Sequence, residues 1–110
     1  MEIRRIGDTA VVTLDTHLFG GPSSVELSDS IRALTEEGVA HVVFDCTAVE
    51  LINSSGIGML VAALATLRSR GGRCTLAAVP EKMRTLLAIT HLDSVFSLSD
   101  TVSDALTQRS

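Results

Sequence analysis

Two serines stand beside two glycines in the stretch INSSGIGMLVAAL, from Ile52 to Leu64. A hydroxyl at Ser54 or Ser55, in front of an apolar run, admits three chemistries: a helix cap, a nucleophile or a phosphate acceptor. Capping follows from residue type alone. Asn53, Ser54 and Ser55 each carry a side-chain oxygen that can accept from the orphan N–H groups of a first helical turn. A nucleophile elbow has the form G-x-S-x-G, and Ile52 stands where its first glycine belongs. No spacing ties His17, His41 or His91 to Ser54, and His41 and His91 are expected to face solvent. A dinucleotide loop has the form G-x-G-x-x-G. Gly56 and Gly58 begin one, but Val61 holds the third position and Lys82 is the lone lysine of the chain. Asp45, Cys46 and Glu50 lie close in sequence without forming a tetrahedral ligand set. No metal and no cofactor are expected, and the chain is read as a non-enzyme. Phosphorylation stays open. A helix N-terminus offers free N–H groups and a positive dipole end, and phosphoserine adds about −1.5 to −2 charge.

The elements that must position these serines can be read along the chain. Glu2 to Ile6 and Ala10 to Asp15 are β-prone runs around Gly7-Asp8-Thr9, a hairpin signal. His17 to Pro22 is a glycine-rich loop. Ser23 with Glu26 has the form of a capping box. Val25, Leu27, Ile31 and Leu34 recur at near-helical spacing until Gly38 stops the helix. His41 to Cys46, HVVFDC, is apolar enough for a buried parallel strand. Thr47 to Ile52 is expected to be a connecting loop. From Ser54 the period becomes 3.6, with Ile57, Leu60, Val61, Leu64 and Leu67 on the core stripe. Gly58, Met59, Ala62, Ala63 and Thr66 fall on the other side, and Gly71-Gly72 closes the helix. Cys74 to Val79 is a strand and Pro80 opens a helix bearing Met83, Leu86 and Leu87. Ser94 to Leu98 is a short strand, and Val102, Ala105 and Leu106 belong to a last helix.

Strands alternating with helices are joined by right-handed crossovers and lie parallel. The expected fold is α/β, one small mixed sheet of four to five strands with about four helices, in one domain over residues 1–110. Val42, Val43, Phe44, Leu60, Leu64, Leu76, Leu86 and Leu87 are its expected core.

Composition narrows the function classes. The chain has 110 residues, 45% of them hydrophobic and 20% charged, which fits a globular domain. It has no Trp, no Tyr and a net charge of −4, with its basic residues scattered. That leaves neither a stacking platform nor a basic stripe for nucleic acid. No signal-peptide pattern and no apolar run of bilayer length is present, so a cytoplasmic protein without direct membrane insertion is expected. Cys46 and Cys74 sit in apolar runs without a paired motif and are expected to be buried, slow-reacting free thiols.

The run VVFDCTAVELINSSGIGMLVAAL resembles the signature of the STAS family, the sulphate transporter and anti-sigma factor antagonist domains. In that pattern an apolar strand ends in Asp, here Asp45. A short loop then leads to Asp-Ser-Ser-Gly or Asp-Ser-Thr-Gly at the start of a helix. The matching tetrapeptide here is Asn53-Ser54-Ser55-Gly56, with Asn in place of the usual Asp. The similarity continues through Gly71-Gly72, the Pro80 helix and HLDSVFSL, while His17 to Pro22 departs from the family's Gly-x-Leu-Asp. The resemblance implies a free-standing anti-sigma factor antagonist. Such a protein binds an anti-sigma factor that is also a serine kinase, releases a sigma factor, and is switched off by phosphorylation. It implies Ser54 as the acceptor, with Ser55 the neighbouring hydroxyl, and a phosphatase as a further partner. Asn53, Ser54, Ser55, Gly56, Gly58, Met59 and Ala62 are the expected docking residues. The alternative is a STAS subunit of an ABC transporter or of a larger signalling scaffold.

Overall fold

The computed structural model of the chain describes residues 1–107; the last three positions of the expected domain lie outside the described residues. Eleven elements follow in order. They are β1 (Glu2–Ile6), β2 (Thr9–Thr13), β3 (His17–Leu18), α1 (Pro22–Glu36), β4 (His41–Asp45), β5 (Leu51–Ile52), α2 (Ser54–Ser69), β6 (Arg73–Ala77), α3 (Glu81–Ile89), β7 (Ser97–Ser99) and α4 (Val102–Thr107). Five strands form one sheet in the order β1-β2-β4-β6-β7. β1 runs antiparallel to β2 and the remaining neighbours are parallel. This is the expected mixed α/β architecture.

β4 sits at the centre because its residues can be buried on both faces. Val42 and Phe44 join Ala10, Val12, Cys74 and Leu76 in a cluster completed by α1, α2 and α3. Val43 points the other way, with Val11 and Ala77, onto Ala105 of α4. Of the expected core, Val42, Val43, Phe44, Leu60, Leu64, Leu76 and Leu87 are buried, and Leu86 is half-buried at the margin. Both long helices end with the chain turning left-handed at a glycine, Gly38 (φ 93°) and Gly71 (φ 79°). The N–H groups of Val39 and Gly72 return to the carbonyls of Leu34 and Leu67, which satisfies last-turn acceptors. Cys46 and Cys74 are buried and unpaired with each other. Burial pushes both thiols up to about 12, so the reactive thiolate is scarce.

Four sequence expectations are corrected. α1 starts at Pro22 with Gly21 in the cap position, and no side chain caps it, so Ser23 and Glu26 form no capping box. Proline suits the first helical position because its missing N–H would be unpaired there anyway. Val25 is 64% exposed, off the face that Leu27, Ile31 and Leu34 bury. Leu51–Ile52 is a strand within the expected loop, pairing in parallel with His17–Leu18 as a separate two-stranded sheet.

His41 is the fourth. It is 3% exposed rather than solvent-facing. Its Nε2 lies 2.8 Å from the Thr75 hydroxyl, and its Nδ1 lies 3.5 Å from an Arg73 guanidinium nitrogen. A guanidinium can only donate, so Nδ1 accepts and the Nε2 proton goes to Thr75. Burial first, then the Arg73 charge, holds the imidazole below its ordinary range, and the Asp8 carboxylate opposes them. The unfolded chain takes up this proton near pH 6.5, the folded chain only at lower pH. The unfolded state therefore binds more protons in that window, and stability falls as pH drops below about 6.5. His41→Gln should flatten this acid slope in thermal melts between about pH 7 and pH 5. An unchanged slope would remove His41 as its source.

Candidate functional site

α2 begins where Asn53 leaves the helical conformation, at φ −119° and ψ −179°. Its Oδ1 accepts the N–H of Gly56 at 2.9 Å, and its carbonyl accepts the N–H of Ile57. The cap is therefore Asn53, not a serine. Ser54 and Ser55 occupy the first two helical positions and are exposed. Among the described residues, no other side chain engages either hydroxyl.

The two-stranded sheet holds this turn in place. Leu18 pairs with Ile52, and the Leu18 carbonyl accepts the Asn53 N–H at 3.4 Å. Gly56 is buried directly against that carbonyl, and a Cβ built on Gly56 would stand 1.9 Å from the Leu18 oxygen. The glycine is thus required by the fold. It was expected to make room for a partner and instead makes room for β3. Beyond Leu18, the Gly20 loop packs against Ser55, whose Cβ lies 3.0 Å from where a Gly20 Cβ would be. The rings of His17 and Phe19 stack beside it at 5.3 Å. This β3–α1 loop flanks the serines, although neither strand spacing nor residue period in the sequence placed it there.

The helix face is also redrawn. Met59 is 4% exposed and Ala63 is buried with it, because α2 packs against α1 as well as the sheet. Met59 is therefore core rather than docking surface. Val61, expected in the core, is 36% exposed. The open face of α2 runs through Ser54, Ser55, Gly58, Val61, Ala62 and Ala65. A side chain at Gly58 would meet nothing within 4 Å. Asn53, Ser54, Ser55, Gly58 and Ala62 remain available from the expected set. From Leu51 to Leu67 no residue is charged, so this stretch adds no charge of its own, and the nearest charges to its start are Glu50 and Lys82, which line a pocket with Leu51 and Ile52.

Among the described residues, no group of three or more His, Cys, Asp and Glu side chains gathers into a metal site. No described helix is long and apolar enough to cross a membrane.

The STAS domain model matches residues 1–105, and the chain belongs to the STAS domain family. A Thermotoga neapolitana protein, a candidate anti-sigma factor antagonist, is 33% identical over 70 residues, covering 64% of this chain and 62% of that protein. A Thermotoga maritima relative is 36% identical over 58 residues, so the matches span between about half and three fifths of these relatives' own lengths. Among solved structures, an anti-sigma factor antagonist from Mycobacterium paratuberculosis superposes with a TM-score of 0.79 at 26% identity, covering 96% of this chain and 89% of that one. The Bacillus cell-fate determinant SpoIIAA in its phosphorylated form superposes with a TM-score of 0.75 at 18% identity, covering 96% and 95%. That likeness establishes the shared fold.

Two substitutions test the local geometry by chemical denaturation. Asn53→Ala removes the cap and should cost about 1 kcal/mol, whereas Ser54→Ala should cost less than about 0.5 kcal/mol. The reverse order would make Ser54 the cap. Gly56→Ala must push β3 off the helix and should destabilise by about 2 kcal/mol or more. A neutral Gly56→Ala would contradict the close contact.

Proposed function

We propose that the chain is an anti-sigma factor antagonist. It binds an anti-sigma factor through the open first turns of α2, and phosphorylation of Ser54 by that partner, a serine kinase, ends the complex. The carrying observation is that Ser54 is exposed at the first helical position, its hydroxyl engaged by no side chain among the described residues, while Asn53 does the capping.

The uncharged stretch that carries Ser54 supplies the switch. In the free protein a phosphate on Ser54 meets solvent, the positive end of the helix and the unbonded N–H groups of the first turn. Those offset its charge by about 0.3–1 kcal/mol. In a complex the same phosphate is pressed between two surfaces, and this chain offers no cation from Leu51 to Leu67 to pair with it. Burying an unpaired anion is costly, so the complex releases it. In the transfer, the Ser54 Oγ attacks the γ-phosphorus of the kinase's ATP, the bond to ADP breaks, and the hydroxyl proton passes to a base. Asn53 carries an amide and cannot be that base, so the kinase supplies it. Removal of the phosphate by a phosphatase restores the docking surface. The role is that of a regulatory binding module with no turnover of its own.

The family also includes domains that serve transporters or larger scaffolds, and copurification distinguishes them: a kinase with its sigma factor, or a transporter ATPase. Once the cognate kinase is in hand, Ser54→Asp should leave the melting temperature nearly unchanged and weaken binding about tenfold or more, roughly 1.4 kcal/mol. Ser54→Ala should bind as the unmodified chain does. Equal affinity of the two variants in a titration would remove Ser54 as the switch, and so would phosphate mapped only outside Ser54 and Ser55.

A further inference from the structure

β1 is the first strand of the sheet, and among the described residues it pairs with β2 alone. All five of its residues are exposed, including Ile3 at 39% and Ile6 at 48%. The hairpin turn consists of Gly7 and Asp8, so Ile6↔Thr9 is the closing pair. In a two-residue hairpin the closing pair is hydrogen-bonded, and hydrogen-bonded pairs then alternate with open ones. Arg4↔Val11 and Glu2↔Thr13 are therefore bonded. Ile3 and Arg5, opposite Val12 and Ala10, aim their N–H and C=O groups away from the sheet. An edge of this kind is a template for another strand.

The sequence of the edge selects that strand. We infer that β1 pairs antiparallel with β1 of a second copy of this chain about a two-fold axis through Ile3, with Glu2 of each copy opposite Arg4 of the other. In a symmetric antiparallel pair, bonded and open positions alternate, so the axis must pass through one residue paired with itself. An axis through Glu2, Arg4 or Arg5 sets like charges against each other, which is destabilising. An axis through Ile6 runs the partner strand into the Gly7–Asp8 turn. Among the residues of β1, the axis through Ile3 alone avoids both; it sets Arg5 opposite Met1, whose ammonium is already paired with Asp15. It uses the outward N–H and C=O of Ile3 as the central bonded pair. It also places both Glu2–Arg4 pairs at open positions, where the strands and their side chains approach closest. Two apolar side chains meet at the centre and two ion pairs flank them. The arrangement joins two five-stranded sheets into one. A contact of this size belongs with weak, reversible interfaces.

Sedimentation velocity of the untagged chain from about 10 µM to about 1 mM should show a reversible monomer–dimer equilibrium. Glu2→Arg and Arg4→Glu each leave an exposed strand folded by circular dichroism and should weaken dimerisation by about tenfold or more. Mixed in equal amounts, the two variants should dimerise again, because one now presents two arginines to the other's two glutamates. Exchange of the Ile3 N–H should slow as concentration rises. A monomer throughout the range would overturn the inference. So would a dimer indifferent to either substitution, or variants that stay apart when mixed.

Discussion

The site depends on one close approach, that of the Gly56 backbone to the Leu18 carbonyl. The distance leaves no room for any side chain at position 56. Because of it, β3 and β5 can lie across the entrance of α2, and the Leu18 carbonyl can accept from Asn53. Asn53 is then fixed where its Oδ1 reaches the Gly56 N–H. The first turn is held from two sides, by a strand and by its own cap. Neither restraint uses a serine hydroxyl. A turn held by backbone and amide can gain or lose a phosphate on Ser54 without losing its own support.

The second constraint is packing. α2 has two neighbours, the sheet and α1, so it buries Met59 and Ala63 as well as the Ile57, Leu60, Leu64 and Leu67 row. What remains outside is narrow and short-sided. Such a face suits close docking of another chain, since little has to move and few rotamers are frozen. It has no charge of its own, so any charge added at its head decides what can approach. The β1 edge works by opposite means. There, charges fix a register between copies, whereas the first turns of α2 carry none.

The architecture was legible because β4 is a continuous apolar run and α2 carries a long 3.6-residue period, and both signals survive without context. The Asn53-Ser54-Ser55-Gly56 tetrapeptide was legible as a helix start for the same reason. Most of the misses share a cause, which is partners distant in sequence. β3 and β5 have two residues each, too few for a period. They exist only because they find each other and Gly56 lets them close. His41 has a buried place because the Thr75 hydroxyl accepts its proton from a neighbouring strand, and a lone histidine at a strand start gives no sign of that. Met59 was read as docking surface because a single apolar stripe was assigned to a helix that packs in two directions, and Gly56 because the Leu18 carbonyl it packs against is distant in sequence. The Ser23–Glu26 box failed because Pro22 had already started the helix and Ser23 fell inside it.

The central claim is that the serine-bearing first turns of α2 are the surface a partner covers. Amide hydrogen exchange on the chain alone and in complex with the proposed anti-sigma partner tests it most directly. The account predicts new protection in the Asn53–Ala65 segment and the adjoining Phe19–Gly21 loop, with α4 unchanged. It also predicts that phosphorylating Ser54 abolishes the protection. Protection confined to α4 and its side of the sheet, with the α2 turn exchanging as in the free chain, would contradict it.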